Sequence, residues 1–345
     1  MTNELVPLSP KLELVGLAAN EAASAFSFAD YARRKSKNTV KNQSVDLASF
    51  AEYLTAIGIA TTAEALQTTA IAWQGVSWGV VSGFVQWALQ KSFATGTISR
   101  RLSTIKVYAA MAMQAGAIPP EEYTKMQTVH AYAGKEADRI DQRRVDTGVA
   151  VRKGSKKSEP TEINDEQCQQ LKRHPDTPQG LRDRLLMCLL LDHGFRVGEV
   201  ALLTRKSFAK KGKITFYRPK VDIWQTHNLS ADVKAALAAY MASPGNGSTE
   251  EDMPIFRATV RSKKLQNPGY TERAIQHRVK ALGEAIGLFD LSPHDCRHYW
   301  ATKTAQMVED GKISLLRLQE AGGWNSLNMP RRYVKRAEIS NKGIA

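Results

Sequence analysis

The sequence has few cysteines and no long apolar run, and each shortage argues against a class of protein. Only three cysteines occur in 345 residues. They are far apart and form no Cys-x-x-Cys pair, which argues against a disulfide scaffold or a zinc ribbon and for a reducing compartment. No stretch approaches the roughly 20 apolar residues of a membrane span. The first residues also lack the basic and apolar regions of a secretory signal. These shortages predict an intracellular protein that does not enter a membrane.

Acidic residues are outnumbered by basic ones. The chain has 48 Lys and Arg against 34 Asp and Glu, a formal net charge of +14. Such an excess favours a polyanionic partner, for which nucleic acid and a membrane surface are the usual candidates. Hydrophobic residues make up 43% of the chain, enough to form the core of one large domain or of two ordinary ones.

The first part of the chain is predicted to be helical after a short flexible arm. Residues 1–21 carry no clear hydrophobic period and are interpreted as a flexible N-terminal arm. Residues 22–133 are predicted to form a helical domain. Asn38 and Thr39 can cap a helix there, and its apolar residues recur at helical spacing (Val40, Leu47, Phe50, Leu54). Two further helices are predicted, one through Val80 and Phe84 and one that begins at Gly96-Thr97.

Between residues 134 and 160 the composition changes to basic, Gly and Ser residues without a hydrophobic period. This composition is typical of an extended interdomain linker. A linker that wraps a phosphate backbone and an ordinary flexible hinge would both have this character.

Residues 161–345 are predicted to form a second, mixed domain. A helix start at Asn164-Asp165-Glu166 combines a side-chain cap with acidic residues that favour the positive end of the helix dipole. The apolar run over residues 185–191 predicts a buried helix that ends at His193-Gly194. Two short strands follow, around a turn at residues 219–222, and the remainder is helical. The predicted fold class is therefore mainly α with a small antiparallel β-sheet.

Chemistry-bearing residues are concentrated in four segments of this second domain. They are His193-Gly194-Phe195-Arg196-Val197-Gly198-Glu199-Val200, Pro293-His294-Asp295-Cys296-Arg297-His298-Tyr299, Gly322-Gly323-Trp324 and Arg331-Arg332-Tyr333. Two guanidiniums can hold the oxygens of a phosphodiester and stabilise the negative charge of its pentacoordinate state. An indole N–H can donate one more hydrogen bond, and a tyrosine can attack phosphorus to form a covalent intermediate.

These segments resemble the tyrosine recombinases of the phage integrase family. Residues 161–345 look like the family's catalytic domain, and residues 22–133 resemble its helical core-binding domain by pattern. Tryptophan stands where most members have histidine, which is closest to the Cre-like branch. The resemblance implies a two-domain DNA-breaking-rejoining fold that closes around duplex DNA as a C-shaped clamp.

The resemblance also implies a catalytic set. Its members are the first arginine Arg196, its acidic partner Glu199, the mobile lysine Lys220, the pair His294 and Arg297, the His/Trp position Trp324 and the nucleophile Tyr333. Lys220 would protonate the departing 5′ oxygen, and His294 or the neighbouring arginines would help the phenol to attack.

Each residue taken alone also has an ordinary structural interpretation. Arg196 could cap a helix, Trp324 and Tyr333 could be packed aromatics, and Lys220 could be a solvated turn residue. His298 could be taken for a second catalytic histidine, but core packing or a structural hydrogen bond is the favoured interpretation. The His294/Cys296/His298 cluster lacks a fourth ligand of defined geometry, so no metal site is predicted. The joint pattern favours one active site, and no cofactor is expected.

Several basic residues are predicted to contact backbone phosphates, which accept both side-chain cations and the amides of helix N-termini. A solvated helical surface is the alternative for each of them. They are Arg33, Arg34, Lys35, Lys41, Arg100, Arg101 and Lys106 in the N-terminal helices, Arg143, Arg144, Arg152 and Lys153 in the predicted linker, and Arg331 and Arg332 beside Tyr333.

The resemblance implies a site-specific DNA recombinase that acts on double-stranded DNA with inverted-repeat recombination sites. Tyr333 would form a 3′-phosphotyrosine and a free 5′-OH, and strands would exchange through a Holliday junction in a tetramer, without ATP or metal. We expect a cytoplasmic, DNA-associated protein of bacterial, phage or plasmid origin. Three alternatives stay open: a non-catalytic DNA-binding accessory protein of the same fold, a type IB topoisomerase or telomere resolvase, and a basic RNA-binding protein. The sequence lacks the RNP-type aromatic strands that are typical of an RNA-binding protein, which argues against the last alternative.

Overall fold

Two separate hydrophobic cores form, one in each half of the chain. The computed structural model describes residues 10–152, 159–244, 246, 250–259 and 265–334. The chain divides into two compact units, with the division after residue 156. Among the helices in the described ranges, none is long and apolar enough to cross a membrane.

In the first unit every regular element that the structure describes is helical. Its helices are α1 (Pro10–Arg34), α2 (Lys37–Ala56), α3 (Ala63–Thr68), α4 (Trp78–Gln90), α5 (Thr95–Gln114), α6 (Pro120–Gln127) and α7 (Gly134–Asp146). The predicted apolar face of α2 is confirmed, since Leu47, Phe50 and Leu54 are buried. The cap is Ser36, whose side-chain oxygen accepts a hydrogen bond from the backbone N–H of Thr39 at 3.1 Å. The helix therefore begins earlier than the predicted Asn38–Thr39 cap.

Two segments without a hydrophobic period are helical, contrary to the extended or loose backbone predicted for them. Helix α1 begins at Pro10, within the predicted arm, and α7 occupies the first half of the predicted linker. In α7 the side chain of Arg144 donates to the backbone carbonyls of Leu89 and Ala150, at 3.2 and 2.8 Å. This helix is held by polar contacts to its surroundings, which hydrophobic periodicity does not detect.

The second unit combines helices with two small antiparallel sheets. Its elements are α8 (Asp165–Leu171), α9 (Pro178–His193), α10 (Val197–Ala201), β1 (Lys213–Arg218), β2 (Ile223–Asn228), α11 (Ala231–Met241), β3 (Arg257–Thr259), β4 (Leu265–Gly269), α12 (Glu272–Glu284), α13 (Pro293–Glu309) and α14 (Leu315–Gly322). Strand β1 pairs with β2 and strand β3 with β4. The first pair is the predicted hairpin, whereas the second was not predicted because its strands are short.

Helix α9 is the centre of the second core, with Leu185–Leu191 buried as the continuous apolar run predicts. It ends at Gly194, which has a positive φ of 60°. A residue with a side chain at this position would have a strained backbone, and its Cβ would clash with the ring of Trp300 on α13. Gly194 thus lets the chain turn closely against α13 and brings the next residues beside it.

The last two helices begin and end at identifiable residues. Ser292 caps α13, where its backbone N–H and its hydroxyl both donate to a carboxylate oxygen of Asp295, at 2.8 and 2.7 Å. Helix α14 ends at Gly323, which adopts a left-handed conformation with φ 58°. A 3₁₀ turn over Pro330–Arg332 leads to Tyr333. A small third apolar cluster, which includes Trp300, links these segments to one another.

Candidate active site

Four of the seven residues predicted as catalytic line one cleft of about 540 Å³ in the second unit. They are Arg196, Lys220, His294 and Arg297. They come from three segments: Arg196 from the start of α10, Lys220 from the β1–β2 turn, and His294 and Arg297 from successive turns at the start of α13. Since three of the four are cations at neutral pH, the cleft suits an anionic group.

Arg196 is held at the start of α10 by its own side chain and by the end of α14. Its Nη1 donates to Glu199 Oε1 at 2.8 Å, and its Nη2 donates to the backbone carbonyl of Gly323 at 3.0 Å. Its side chain is 22% exposed, so part of the guanidinium can face the cleft. Two separate anchors fix the direction in which the remaining N–H groups point, and this preorganises the fork for an anion.

Glu199 is buried between two arginines. Besides the bonds from Arg196, it accepts hydrogen bonds from Nη1 of Arg218 at 3.2 and 3.4 Å. A buried carboxylate needs such partners, because an uncompensated charge in the interior costs several kcal/mol. Glu199 therefore joins α10 to the end of strand β1, and it orients Arg196 without lining the cleft itself.

Arg297 is buried on α13 and anchored by two backbone carbonyls. Nη1 donates to Gly194 at 2.5 Å and Nη2 donates to Gly322 at 2.6 Å. Burial and the nearby charge of Arg196 lower the pKa of Arg297. An arginine still keeps its proton at neutral pH. Arg297 thus supplies a rigid positive charge at the inner wall of the cleft.

His294 lies three residues before Arg297 at the first turn of α13 and lines the same cleft. Desolvation lowers the pKa of His294, and the charge of Arg297 lowers it further. A lowered pKa keeps the imidazole neutral at pH 7, so it can accept a proton there.

Trp324 and Tyr333 lie together beside Arg297. The guanidinium carbon of Arg297 is 4.8 Å from the centre of the Trp324 ring, and the Trp324 and Tyr333 rings are 5.9 Å apart between centroids. Burial raises the pKa of Tyr333, while Arg297 and Arg332 lower it in part. The predicted nucleophile Tyr333 therefore lies close to Arg297, which itself lines the cleft.

His298 contacts Tyr333 from a second side. The two rings meet edge to face with centroids 5.0 Å apart. This contact leaves both sequence interpretations of His298 open, as a packing residue and as a second catalytic histidine. Its proximity to the tyrosine follows from the position of the 3₁₀ turn and could not be inferred from spacing in the sequence.

Lys220 is exposed in the β1–β2 turn and lines the cleft with Arg196 and His294. Lysines 210, 211 and 213 lie nearby in the sequence and were possible alternatives for the catalytic lysine. They do not line this cleft. Position in the turn thus separates Lys220 from its neighbours.

Arg218 is a residue that the sequence interpretation missed. It is fully buried at the end of β1, and its guanidinium donates to Glu199, Gln225 and two carbonyls at the end of α14. An arginine in a half-polar strand looks like a solvated cation. A sequence signal did exist, because Arg218 falls at the alternate position that continues the buried face of Ile214 and Phe216.

The residues predicted to contact phosphates include exposed, half-buried and buried side chains. The exposed ones are Arg33, Arg34, Lys35, Lys41, Arg100, Arg143, Arg331 and Arg332. Among them, Arg34 forms an ion pair with Asp30, Lys35 lies over the ring of Tyr31, and Arg100 binds Asp46. Lys106 is half-buried and donates to the carbonyl of Gln127 at 2.9 Å, and Arg152 is also half-buried. Lys153 lies outside the described residues.

Two predicted contacts, Arg101 and Arg144, are buried. Arg101 stacks on Phe93, with its guanidinium carbon 3.8 Å from the ring centre, and Arg144 donates to Asp141 at 3.0 Å. Both side chains are enclosed within the first unit. They are structural residues in this structure and not available surface cations, which corrects the sequence prediction.

In the part of the chain that the structure describes, no group of three or more His, Cys, Asp or Glu side chains could hold a metal ion. The cysteine of the His294/Cys296/His298 cluster is buried.

A sequence model of the phage integrase family matches residues 162–338, slightly more than half of the chain. Curated relatives include the tyrosine recombinase XerC of Herpetosiphon aurantiacus, which is 26% identical over 76% of this chain and 76% of the relative. The tyrosine recombinase XerC of Roseiflexus castenholzii is 24% identical over 91% of this chain and 88% of the relative.

Solved structures with the same fold include a lambda integrase dimer bound to a COC′ core site. It has a TM-score of 0.57 and 14% identity and covers 91% of this chain and 96% of its own. The XerH site-specific recombinase bound to a palindromic difH substrate has a TM-score of 0.55 and 17% identity, and the match covers 100% of this chain and 90% of the XerH chain. At these identities the likeness establishes the fold: mainly helical, with a small antiparallel sheet.

Proposed function

The chain belongs to the phage integrase family, and we propose that it acts on DNA as a site-specific tyrosine recombinase through Tyr333. The observation that carries this proposal is that separate segments of the second unit meet around Arg297. Arg297 lies against Trp324, which lies against Tyr333, while Arg297 also lines the cleft with Arg196, His294 and Lys220.

In the proposed first step the phenol oxygen of Tyr333 attacks a DNA phosphorus. A new bond forms between phosphorus and that oxygen, and the bond from phosphorus to the 5′ oxygen breaks. The electron pair of the broken bond stays on the 5′ oxygen, which takes a proton from Lys220. The products are a 3′-phosphotyrosine and a free 5′-OH, and the phosphodiester energy is kept for rejoining.

Arg196 and Arg297 stabilise the extra negative charge that the phosphoryl group gains in this step. Their anchoring supports that role, because both are fixed by backbone carbonyls and need little reorganisation. Glu199 orients Arg196, and Trp324 donates through its indole N–H to a phosphoryl oxygen.

The proton of Tyr333 must leave as the attack proceeds. Burial raises the pKa of Tyr333, so the free phenolate is scarce at pH 7. His294 has a lowered pKa and is neutral at that pH, so it can accept a proton. In this proposal His294 or the neighbouring arginines help the phenol to lose its proton.

The rejoining step reverses this chemistry with a 5′-OH from a partner duplex. Strands would then exchange through a Holliday junction, with four protomers on two inverted-repeat sites. Support comes from the relatives, since the lambda integrase structure is a dimer on a core site and the XerH structure contains a palindromic difH substrate. The clamp around duplex DNA, with residues 22–133 and 161–345 as its two domains, is part of the same proposal.

The branch of the family is a finer question. Tryptophan at position 324 favours the Cre-like branch, whereas the curated relatives are XerC recombinases. We assign the chain to the XerC-like members on overall identity and regard Trp324 as a feature of this sequence. Relatives of this kind are bacterial, which supports a site of action on bacterial, phage or plasmid DNA in the cytoplasm.

The proposal is tested by covalent trapping in EDTA. Duplexes that tile the DNA flanking the gene are nicked close to each candidate site, so that a short cleaved strand is lost and rejoining is prevented. We expect a protease-sensitive protein–DNA adduct with the wild type, none with Tyr333→Phe, and about a hundredfold less with Arg297→Ala.

Tyr299→Phe is the matched control, because it removes a phenol on the same helix as Arg297 that donates to Asp165 away from the cleft. DNA binding without an adduct from the wild type on any duplex would favour a non-catalytic DNA-binding protein. Relaxation of supercoils at any sequence would favour a type IB topoisomerase, and hairpin ends a telomere resolvase.

A further inference from the structure

The tip of the β1–β2 hairpin carries Lys220 but has almost no apolar anchor. Residues 218–224 are all described, and among them Arg218 alone is buried. The sheet itself contains just these two strands in the described part of the unit. A two-stranded hairpin is marginally stable by itself, so its tip needs contacts to the rest of the domain. Arg218 is the side chain placed to provide them.

The guanidinium of Arg218 reaches three different parts of the domain. Nε donates to Gln225 on the partner strand at 2.6 Å, and Nη1 donates to Glu199 at 3.2 Å. Nη1 and Nη2 also donate to the carbonyls of Gly322 and Ala321 at the end of α14, at 3.0 and 2.7 Å. Gln225 strengthens this link because it donates to the carbonyl of Glu320 at 2.9 Å.

The backbone of Arg218 closes the turn that contains Lys220. Its carbonyl accepts hydrogen bonds from the backbone N–H groups of Val221 and Asp222, at 3.1 and 2.9 Å. Asp222 has a positive φ of 54° and accepts a hydrogen bond from the hydroxyl of Tyr217 at 2.5 Å. The conformation of the turn is therefore defined relative to Arg218, so a shift of Arg218 moves Lys220.

The same guanidinium is tied to the segment that carries Trp324. Gly322 accepts hydrogen bonds from both Arg218 and Arg297. The neighbouring Gly323 approaches so closely that a Cβ at this position would lie 2.7 Å from Arg218 Nη1. Carbonyls at a helix C-terminus carry partial negative charge, so cations are stabilised there. Arg218 thus holds the hairpin against the fixed end of α14.

We propose that Arg218 is a positioning residue for Lys220, which locks the hairpin tip to the end of α14 so that the lysine meets the departing 5′ oxygen. Arg218 does not touch the DNA, since its side chain is fully buried. The inference rests on the proposed role of Lys220 in strand cleavage. It adds a residue that the catalytic set implied by the family resemblance does not contain.

A sulfur-substituted substrate separates this role from a general structural one. When the 5′ oxygen of the cleaved phosphate is replaced by sulfur, the leaving group is a thiolate with a much lower pKa, which departs without a proton donor. A defect in the placement of Lys220 should disappear on this substrate. A defect in Arg196 or in the fold of the domain should persist on it.

The measurement is the rate of adduct formation on nicked duplexes with a 5′ oxygen or a 5′ sulfur at the phosphate that the wild type cleaves. Lys220→Ala should be about 10²- to 10⁴-fold slow on oxygen and within about tenfold of wild type on sulfur. Arg218→Lys keeps one charge but loses the planar fork. We expect it to be about 10- to 100-fold slow on oxygen and to recover on sulfur.

Two controls define the comparison. Arg196→Ala should be slow on both substrates. Arg182→Lys replaces another buried arginine of the same unit, paired with Asp183, and should affect both substrates equally. Recovery of Lys220→Ala without recovery of Arg218→Lys would overturn the positioning role and leave the proposed function intact. No adduct from the wild type on either substrate would overturn the proposed function and this inference with it.

Discussion

The guanidinium of Arg297 lies 4.8 Å from the centre of the Trp324 ring. The indole is also stacked on Trp300, with ring centroids 6.1 Å apart, so it contacts both a cation and a second aromatic ring. A tryptophan in this position has two separable properties. It packs against its neighbours, and its ring nitrogen can donate a hydrogen bond.

Substitution of Trp324 can separate those properties. Trp324→Phe keeps an aromatic ring and removes the donor, whereas Trp324→His restores a ring nitrogen. We expect Trp324→Phe to lower the adduct rate about 10- to 100-fold and Trp324→His to recover most of it, since one hydrogen bond to a charged group contributes about 1.5–3 kcal/mol. Equal rates for the two variants would show that packing alone matters. The trapping assay supplies the rates, and thermal unfolding checks the fold.

Gly323 should not tolerate a side chain. It has a φ of 58°, and an added Cβ would meet Arg218 at 2.7 Å. We expect Gly323→Ala to lower the free energy of unfolding by about 3 kcal/mol, from backbone strain and overpacking together. Gly311→Ala is the matched control, because Gly311 has a φ of 71° but an added Cβ would have no neighbour within 4 Å. That variant should cost about 1 kcal/mol. Urea unfolding measures both, and equal losses would contradict the close contact.

The stability of the second unit should fall as the pH drops below about 6.5. Burial lowers the pKa of His227 to about 4, next to the rings of Phe195 and Phe216. A histidine with a lowered pKa is neutral in the folded state, so its contribution is complete above the unfolded pKa of about 6.5 and is lost as the pH falls towards 4. The loss attributable to His227 at pH 5 is about 2 kcal/mol.

His227→Phe should flatten this pH dependence, because it keeps a ring against Phe195 and Phe216 and removes the titrating group. Urea unfolding at pH 7.5 and pH 5 measures the difference for each protein. His277→Gln, at an exposed position, is the control that should keep the wild-type slope. A His227→Phe variant with the wild-type slope would show that other groups carry the effect.

Exposed and buried basic residues should differ in their effect on DNA binding. Lys41 and Arg143 are exposed, so Lys41→Ala and Arg143→Ala should each reduce the slope of log affinity against log salt by about 1 if each contacts one phosphate. Arg144 is buried and bonded to two backbone carbonyls. Arg144→Ala should lower stability and leave the slope unchanged. Titration of a labelled duplex at several salt concentrations distinguishes these outcomes.

The residues proposed as catalytic could be selected from the sequence because they lie in short local motifs. His294 and Arg297 are three residues apart on one helix, so they share a helix face whatever the rest of the chain does. Arg196 is the cap of α10 and Glu199 is its third helical residue, so this pair is also brought together locally. The buried helix over Leu185–Leu191 followed from its apolar run in the same way. Helix α7 did not follow, because polar contacts hold it and they leave no period in the sequence.

The sequence by itself determined the types of groups available: guanidiniums, an imidazole, an indole and a phenol in four short segments. Only the tertiary structure decided which of the many basic residues are buried and which are free to meet an anion. Arg101, Arg144 and Arg218 look like surface cations in the sequence, and each is buried by contacts with residues from other elements. The physical reason is that a charged side chain enters the interior only where carbonyls, carboxylates or aromatic rings meet it, and long-range packing sets where that happens.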